Sequence, residues 1–362
     1  MAVKKLGKSI SLDEVREALD PARTISSIKY LLDLQAKALS GKWQSPFSEY
    51  IKEFGIVRDD GNKYVGTPDK LHPIFTQKII GRDVDAYEKR LIQLYLALVT
   101  PAMESVTLYS RGLKLIEKDT QFFYPENILK KDVKSLENLL QHTLVSRNPE
   151  SVARAWHEGS ENLIQFFDSD PKNIFALPEN KHPVKAHETV CALLREYGNK
   201  NAALLLKEYI ESGVYHPGRY RKYLPIPADI HVMRFIIKSS SANPQKTAKI
   251  LHNHTQGTMS KRIQQYLSEI IPYSGLDPIK IDDAIWIYAK EVCSPVSGGC
   301  TSQCPNQPHH HHLTVRYSKG KRQVIYAEGG KHERVRFKRD GRLEVSVKKG
   351  LISLDEFDEA SA

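Results

Sequence analysis

Apolar residues in this 362-residue chain recur with helical spacing as far as about residue 292, and from residue 313 they alternate one by one with polar residues. Periods of 3.6 and 2.0 place side chains on incompatible faces, so no single element can carry both. The chain is therefore expected to be mainly α, a helical body over 1–312 in one or two lobes, joined to a small antiparallel β-meander over 313–350 and an acidic tail over 351–362. With 40% apolar residues and a mean hydropathy of −0.45, it has the composition of an ordinary globular protein with a sizeable core.

Local signals place the helices. Ser11-Leu12-Asp13-Glu14 is a capping box that opens a helix toward Leu19. A long apolar stretch from Asp83 to Lys118 carries Leu91, Ile92, Leu94, Leu98 and Val99, and Pro101 should kink or divide it. Further helices are expected at about 130–145, 149–168, 185–197, 200–212, 229–239, 244–256, 258–271 and 280–292.

In the last fifty residues four alternating runs begin at Leu313, Gln323, Arg334 and Leu343. They are separated by Ser318-Lys319-Gly320, Gly329-Gly330 and Asp340-Gly341, which are hairpin-turn sequences. The net charge of +10 is unevenly placed: between Leu313 and Gly350 twelve Lys/Arg stand against four Asp/Glu. Such an excess is the electrostatic footprint of a nucleic-acid-binding module, acting through counterion release, and equally the composition of a solvated face. Met1 to Lys8 lacks the apolar run of a signal peptide, and no stretch reaches the length of a membrane span. The expected setting is cytoplasmic, nucleoid-associated, or nuclear, not secreted, with no membrane partner and a monomeric chain.

Three of the four cysteines, Cys293, Cys300 and Cys304, fall within twelve positions around a Pro/Gly/Ser loop that leads into His309 to His312. In a reducing compartment this grouping is not a disulfide framework. Closely spaced thiolates suit a soft metal or an iron–sulfur cluster, and a loop closed by packing alone is the alternative.

The run from Ile285 to Cys304 resembles the end of the helix-hairpin-helix DNA glycosylase superfamily, the endonuclease III relatives, where a helix ending in Val-Cys enters a four-cysteine cluster loop. That family spaces its cysteines C-x6-C-x2-C-x5-C. Here the pattern is Cys293-x6-Cys300-x3-Cys304, and His310 stands where the fourth cysteine would fall. The resemblance thus implies a [4Fe-4S] cluster, or zinc, held by Cys293, Cys300, Cys304 and His310. Upstream, Leu194, Gly198, Lys200 and Ala202 stand where the family hairpin L-P-G-x-G-x-K-x-A has them, with Arg195 and Glu196 in place of Pro-Gly. Between these, Leu224-Pro225-Ile226-Pro227-Ala228-Asp229-Ile230-His231-Val232-Met233-Arg234 is similar to the family's P-V-D-T-H-V-x-R segment. The interval from Lys200 to Asp229 is similar to that of the archaeal 8-oxoguanine glycosylase branch. The three segments cover roughly residues 190–310, about a third of the chain.

The resemblance implies a DNA repair N-glycosylase with AP lyase activity, excising a damaged base such as 8-oxoguanine from double-stranded DNA after flipping the nucleotide out. Breaking an N-glycosidic bond builds positive charge on the sugar, which a carboxylate at Asp229 would stabilise. An amine at Lys200 would attack C1′ and give a Schiff base. Taken alone, Asp229 after a Pro-rich entry is a helix N-cap and Lys200 an exposed first-turn lysine. Expected DNA contacts are Gly198, Asn199, Arg219, Arg221, Lys222 and His231. Tyr215, Tyr220 and Tyr223, interleaved with His216 and those basic residues, make a basic-aromatic loop suited to nucleic acid or to plain solvent. Trp286 reads as core. Two other functions fit the same residues: an N-glycosidase of this fold acting on RNA or a modified nucleoside, and a non-catalytic, metal-stabilised nucleic-acid-binding protein.

Overall fold

Caps and prolines decide where the helices begin. Ser11 accepts from Glu14 N at 3.1 Å while Glu14 accepts from Ser11 N at 2.8 Å, which opens α1 over Leu12–Ala18. Asp20 Oδ1 accepts from Ala22 N at 2.9 Å ahead of Pro21, the first residue of α2, Pro21–Leu39. The computed structural model describes residues 9–39, 85–97, 111–143 apart from 113 and 118, 148–194, 198–252 and 254–288, and the backbone of four segments between 313 and 348. Pro101, the loop with Cys293, Cys300, Cys304 and His310, and the acidic tail lie outside the described residues, as does the side chain of Trp286.

The chain is mainly α among the described residues. After α2 come α3 (Ala86–Ala97), α4 (Pro125–Leu129), α5 (Val133–His142), α6 (Pro149–Phe167), α7 (Pro183–Leu193) and α8 (Asn199–Glu211). Then follow α9 (Ile230–Ser240), α10 (Pro244–Leu251), α11 (Gln256–Ile270) and α12 (Pro278–Ile287). Asp132, Asn243, Thr255 and Asp277 cap their helices by accepting from backbone amides of the first turn. The expected helix at 185–197 instead starts at Pro183, because proline at the first helical position forfeits no hydrogen bond. The expected helix at 244–256 ends at Leu251.

α2 escapes the sequence pattern because polar residues share its buried face. Thr24, Ser27, Ile28, Leu31, Leu34 and Gln35 are buried at helical spacing. Thr24 Oγ1 reaches Ser240 Oγ at 2.6 Å and Tyr266 OH at 2.8 Å, so its burial is compensated.

The apolar interior falls into two clusters. One joins α3 to α8 around Trp156, Tyr95, Phe122 and Phe123, with Trp156 Nε1 donating to Tyr95 O at 3.0 Å. The other joins the N-terminal α1 and α2 to α9 through α12 around Phe235, Tyr266 and Tyr288. Two stretches of chain belong to both. Leu224 is in the first cluster and Ile226 in the second; on α12, Ile279 is in the first and Ile281 in the second. The chain therefore crosses the seam between the cores just before Asp229, and α12 lies along it. No described helix is long and apolar enough to cross a membrane.

Candidate functional site

The seam is charged where α8 meets α12. Lys200, Lys207 and Glu211 stand at i, i+7 and i+11 on α8 and so share one face. Lys207 is only 8% exposed, and its Nζ donates to Asp282 Oδ2 at 2.6 Å and to Asp283. The two aspartates are consecutive on α12 and equally buried, at 6% exposure each. Asp283 Oδ2 is buried and has no hydrogen-bond partner among the described residues.

Two carboxylates share one ammonium, so the cluster favours a bound proton. Burial pushes Asp283 up from 3.8 to about 7, the charge of Lys207 opposing and those of Glu211 and Asp282 adding to the rise. Burial also raises Asp282, again against Lys207, with Asp229 and Glu211 pushing the same way. Asp229 is thus within electrostatic reach of the cluster.

Asp229 begins α9. Its Oδ1 accepts from His231 N at 2.8 Å and from Val232 N at 2.9 Å, as an N-cap does. The second oxygen, Oδ2, makes no hydrogen bond among the described residues. One oxygen alone therefore caps the helix.

α11 brings the starts of α8 and α9 together. Ser260 Oγ donates to Ala228 O at 2.5 Å, and Gln264 Nε2 donates to Asn199 O at 3.3 Å. Ser260 and Gln264 are one turn apart, on the order of 5–6 Å along one face of α11. The residues preceding Asp229 and Lys200 are accordingly anchored at neighbouring points of one helix. His187 Nε2 also donates to Asn199 O at 2.7 Å. Burial lowers the His187 pKa, which favours the neutral ring. Cys191 sits 3.9 Å from His187 Nδ1, yet burial pushes its thiol up to about 11, so it is not an activated nucleophile.

The other sequence candidates spread outward from this point. Lys200 is half-buried and forms no ion pair among the described residues. Gly198, the N-cap of α8, is exposed in extended conformation, and a Cβ there would meet nothing within 4 Å. His231 is half-buried on the first turn of α9. Arg221 is held by Asp277, Nε to Oδ1 at 3.2 Å and Nη2 to Oδ2 at 2.7 Å, which fastens the 3-10 segment Gly218–Tyr223 to the start of α12. Arg219 and Lys222 are exposed, their cations over the rings of Tyr220 and Tyr223 at 4.9 and 5.1 Å. Tyr215 is 1% exposed and stacks on Phe175 at 4.5 Å, so it packs into the core and is not an exposed loop residue.

The sequence reading missed Lys207, Asp282 and Asp283. The signal was present, since an Asp pair inside the apolar run of α12 and a lysine after Leu204-Leu205-Leu206 are charges on faces that should be buried. Among the described residues no group of three His, Cys, Asp or Glu is placed to hold a metal ion.

The cluster should make stability depend on pH. Folded Asp283 keeps its proton at pH values where the unfolded chain has lost it. Its contribution is full below about pH 4 and is lost as pH rises through about 7. The slope is at most about 1.4 kcal/mol per pH unit. Asp283→Asn should flatten the thermal midpoint between pH 4 and 7; an unchanged slope would remove Asp283 as its source. No protein-family model matches the chain, and a comparison with curated proteins finds no significant match.

Proposed function

We propose that the chain is a nucleic-acid N-glycosidase, a DNA repair glycosylase with AP lyase activity that excises a damaged base. The observation carrying this reading is that the residues just before Asp229 and Lys200, at the starts of two helices, are bonded to side chains one turn apart on α11, with a carboxylate oxygen of Asp229 left unbonded among the described residues.

The chemistry follows from those groups. The N-glycosidic bond breaks with its electron pair leaving on the base, and the positive charge that develops on the sugar is stabilised by the half-buried carboxylate of Asp229. The neutral Lys200 amine forms the new bond to C1′, and one of its protons passes to the departed base. The C1′–O4′ bond then breaks with the other proton passing to O4′, which opens the sugar ring and yields a Schiff base. Loss of a C2′ proton then expels the 3′ phosphate and cuts the strand. The buried Lys207–Asp282–Asp283 cluster holds α8, which carries Lys200, against α12.

On this reading the body has a helix-hairpin-helix glycosylase fold and the C-terminal strands form a basic meander that holds DNA. Supporting the meander are the extended segments β1 (Leu313–Tyr317), β2 (Gln323–Gly329), β3 (Lys331–Phe337) and β4 (Leu343–Lys348), paired antiparallel in chain order. Leu313 lies opposite Ala327, and Arg336 opposite Glu344.

The test is a panel of duplexes, each with one damaged base, run beside RNA and free modified nucleosides and scored for base release. Release from a duplex supports the reading. Release from nucleosides alone moves the activity to that substrate class, and no release from any of them overturns it. Borohydride should trap a covalent adduct with DNA that is lost in Lys200→Ala. If that variant traps as well as the parent, another amine is the nucleophile.

A further inference from the structure

A second feature is a cleft of about 620 Å³ lined in part by Gly218, Arg219 and Tyr220, within the size range of small-molecule sites. Its floor is the stacked pair Phe175 and Tyr215, and its rim carries Lys172, Lys181, His216 and Arg219. No carboxylate is among its lining residues. All four basic residues are exposed. Lys172 shares Asp170 at 3.3 Å with Arg90, whereas Lys181 and Arg219 pair with no acid among the described residues. Tyr220, half-buried, is held by His182 at 5.2 Å between centroids and receives a hydrogen bond from Arg219 at 2.9 Å.

A cleft whose rim has one sign of charge, with a fixed aromatic ring in its wall, matches what single-stranded nucleic acid presents, successive phosphates and unpaired bases. An acidic peptide would use the cations but not the ring. The cleft is also mechanically joined to the candidate site. Arg221, from the same 3-10 segment, grips Asp277, and Asp282 and Asp283 follow five and six residues later on α12, about 8–9 Å along the helix.

We propose that this cleft holds a single-stranded flank of the nucleic acid, its phosphates between Lys181 and Arg219 and a base against Tyr220. The proposal rests on the glycosidase reading for its purpose, and its test is independent of base release. Binding of a short fluorescein-labelled oligo(dT) is followed by anisotropy across a salt series, with circular dichroism as the fold check. The double variant Lys181→Glu/Arg219→Glu should bind at least tenfold more weakly, and its salt slope should flatten by about 0.7 for each phosphate that the variant no longer neutralises. Tyr220→Ala should weaken binding by roughly fivefold or more while Tyr220→Phe, which keeps the stacking face, should bind as the parent does.

Unchanged affinity and salt slope in the double variant overturn the proposal. So does equal binding by the two Tyr220 variants, which remains readable if the double variant misfolds. Polyglutamate competing as well as unlabelled oligo(dT) would show a general anion surface and also overturn it. Oligo(dT) binding at the cleft with no base release anywhere in the lesion panel would sink the glycosidase reading and leave the cleft standing. Base release with an insensitive cleft would do the reverse.

Discussion

Asp229→Asn should lower base release by about a hundredfold or more while leaving fold and nucleic-acid binding in place. The separation is possible because the observed cap uses one oxygen and the proposed chemistry the other. Asn is as good an N-cap as Asp, so an amide oxygen can still accept from the amides of His231 and Val232. What it cannot supply is negative charge facing the developing charge on the sugar. Asp229→Ala would confuse the two effects, since losing the cap costs about 1 kcal/mol of α9 stability. Measured under single turnover, the Asn variant should show the loss in the chemical step with oligonucleotide affinity unchanged. Full activity in that variant would make Asp229 a cap and nothing more.

Lys207→Met should destabilise the protein by about 3–5 kcal/mol near neutral pH, because two buried carboxylates lose their shared cation. For a body of this size that corresponds to a fall in thermal midpoint on the order of 10 °C. The loss should shrink in acid, where Asp282 and Asp283, both raised by burial, are protonated and no longer need a partner. Adding Asp282→Asn and Asp283→Asn to Lys207→Met should recover part of the stability. A Lys207→Met protein as stable as the parent at pH 7 would mean that the cluster is hydrated and does not hold the seam.

How much could be read in advance depended on the range of the interaction. A cap is decided within about four residues by one or two hydrogen bonds, so Ser11 with Glu14 could be read directly, and Asp229 could be recognised both as a cap and as a candidate acid. Helical periodicity likewise placed α6, α8 and α9 to within a residue or two, because their buried faces are apolar. It failed for α2, whose buried face carries Thr24, Ser27 and Gln35. Those residues are tolerated there only because partners far along the chain, Ser240 and Tyr266, satisfy Thr24.

The candidate site divides in the same way. Lys200 and Asp229 could be picked out by their local segments, but the anchoring of the preceding residues Asn199 and Ala228 one turn apart comes from Gln264 and Ser260 on a third helix. Tyr215 and Arg221 looked alike as loop residues before Asp229, until Phe175 covered the first and Asp277 engaged the second. Lys207 meets Asp282 across 75 positions of sequence. The sequence by itself determined where helices start and which residue types stand at their ends, since those follow from hydrogen bonds within one turn. Only the tertiary structure decided which charges are buried together, because the cost of dehydrating Lys207, Asp282 and Asp283 depends on both partners leaving water at the same place.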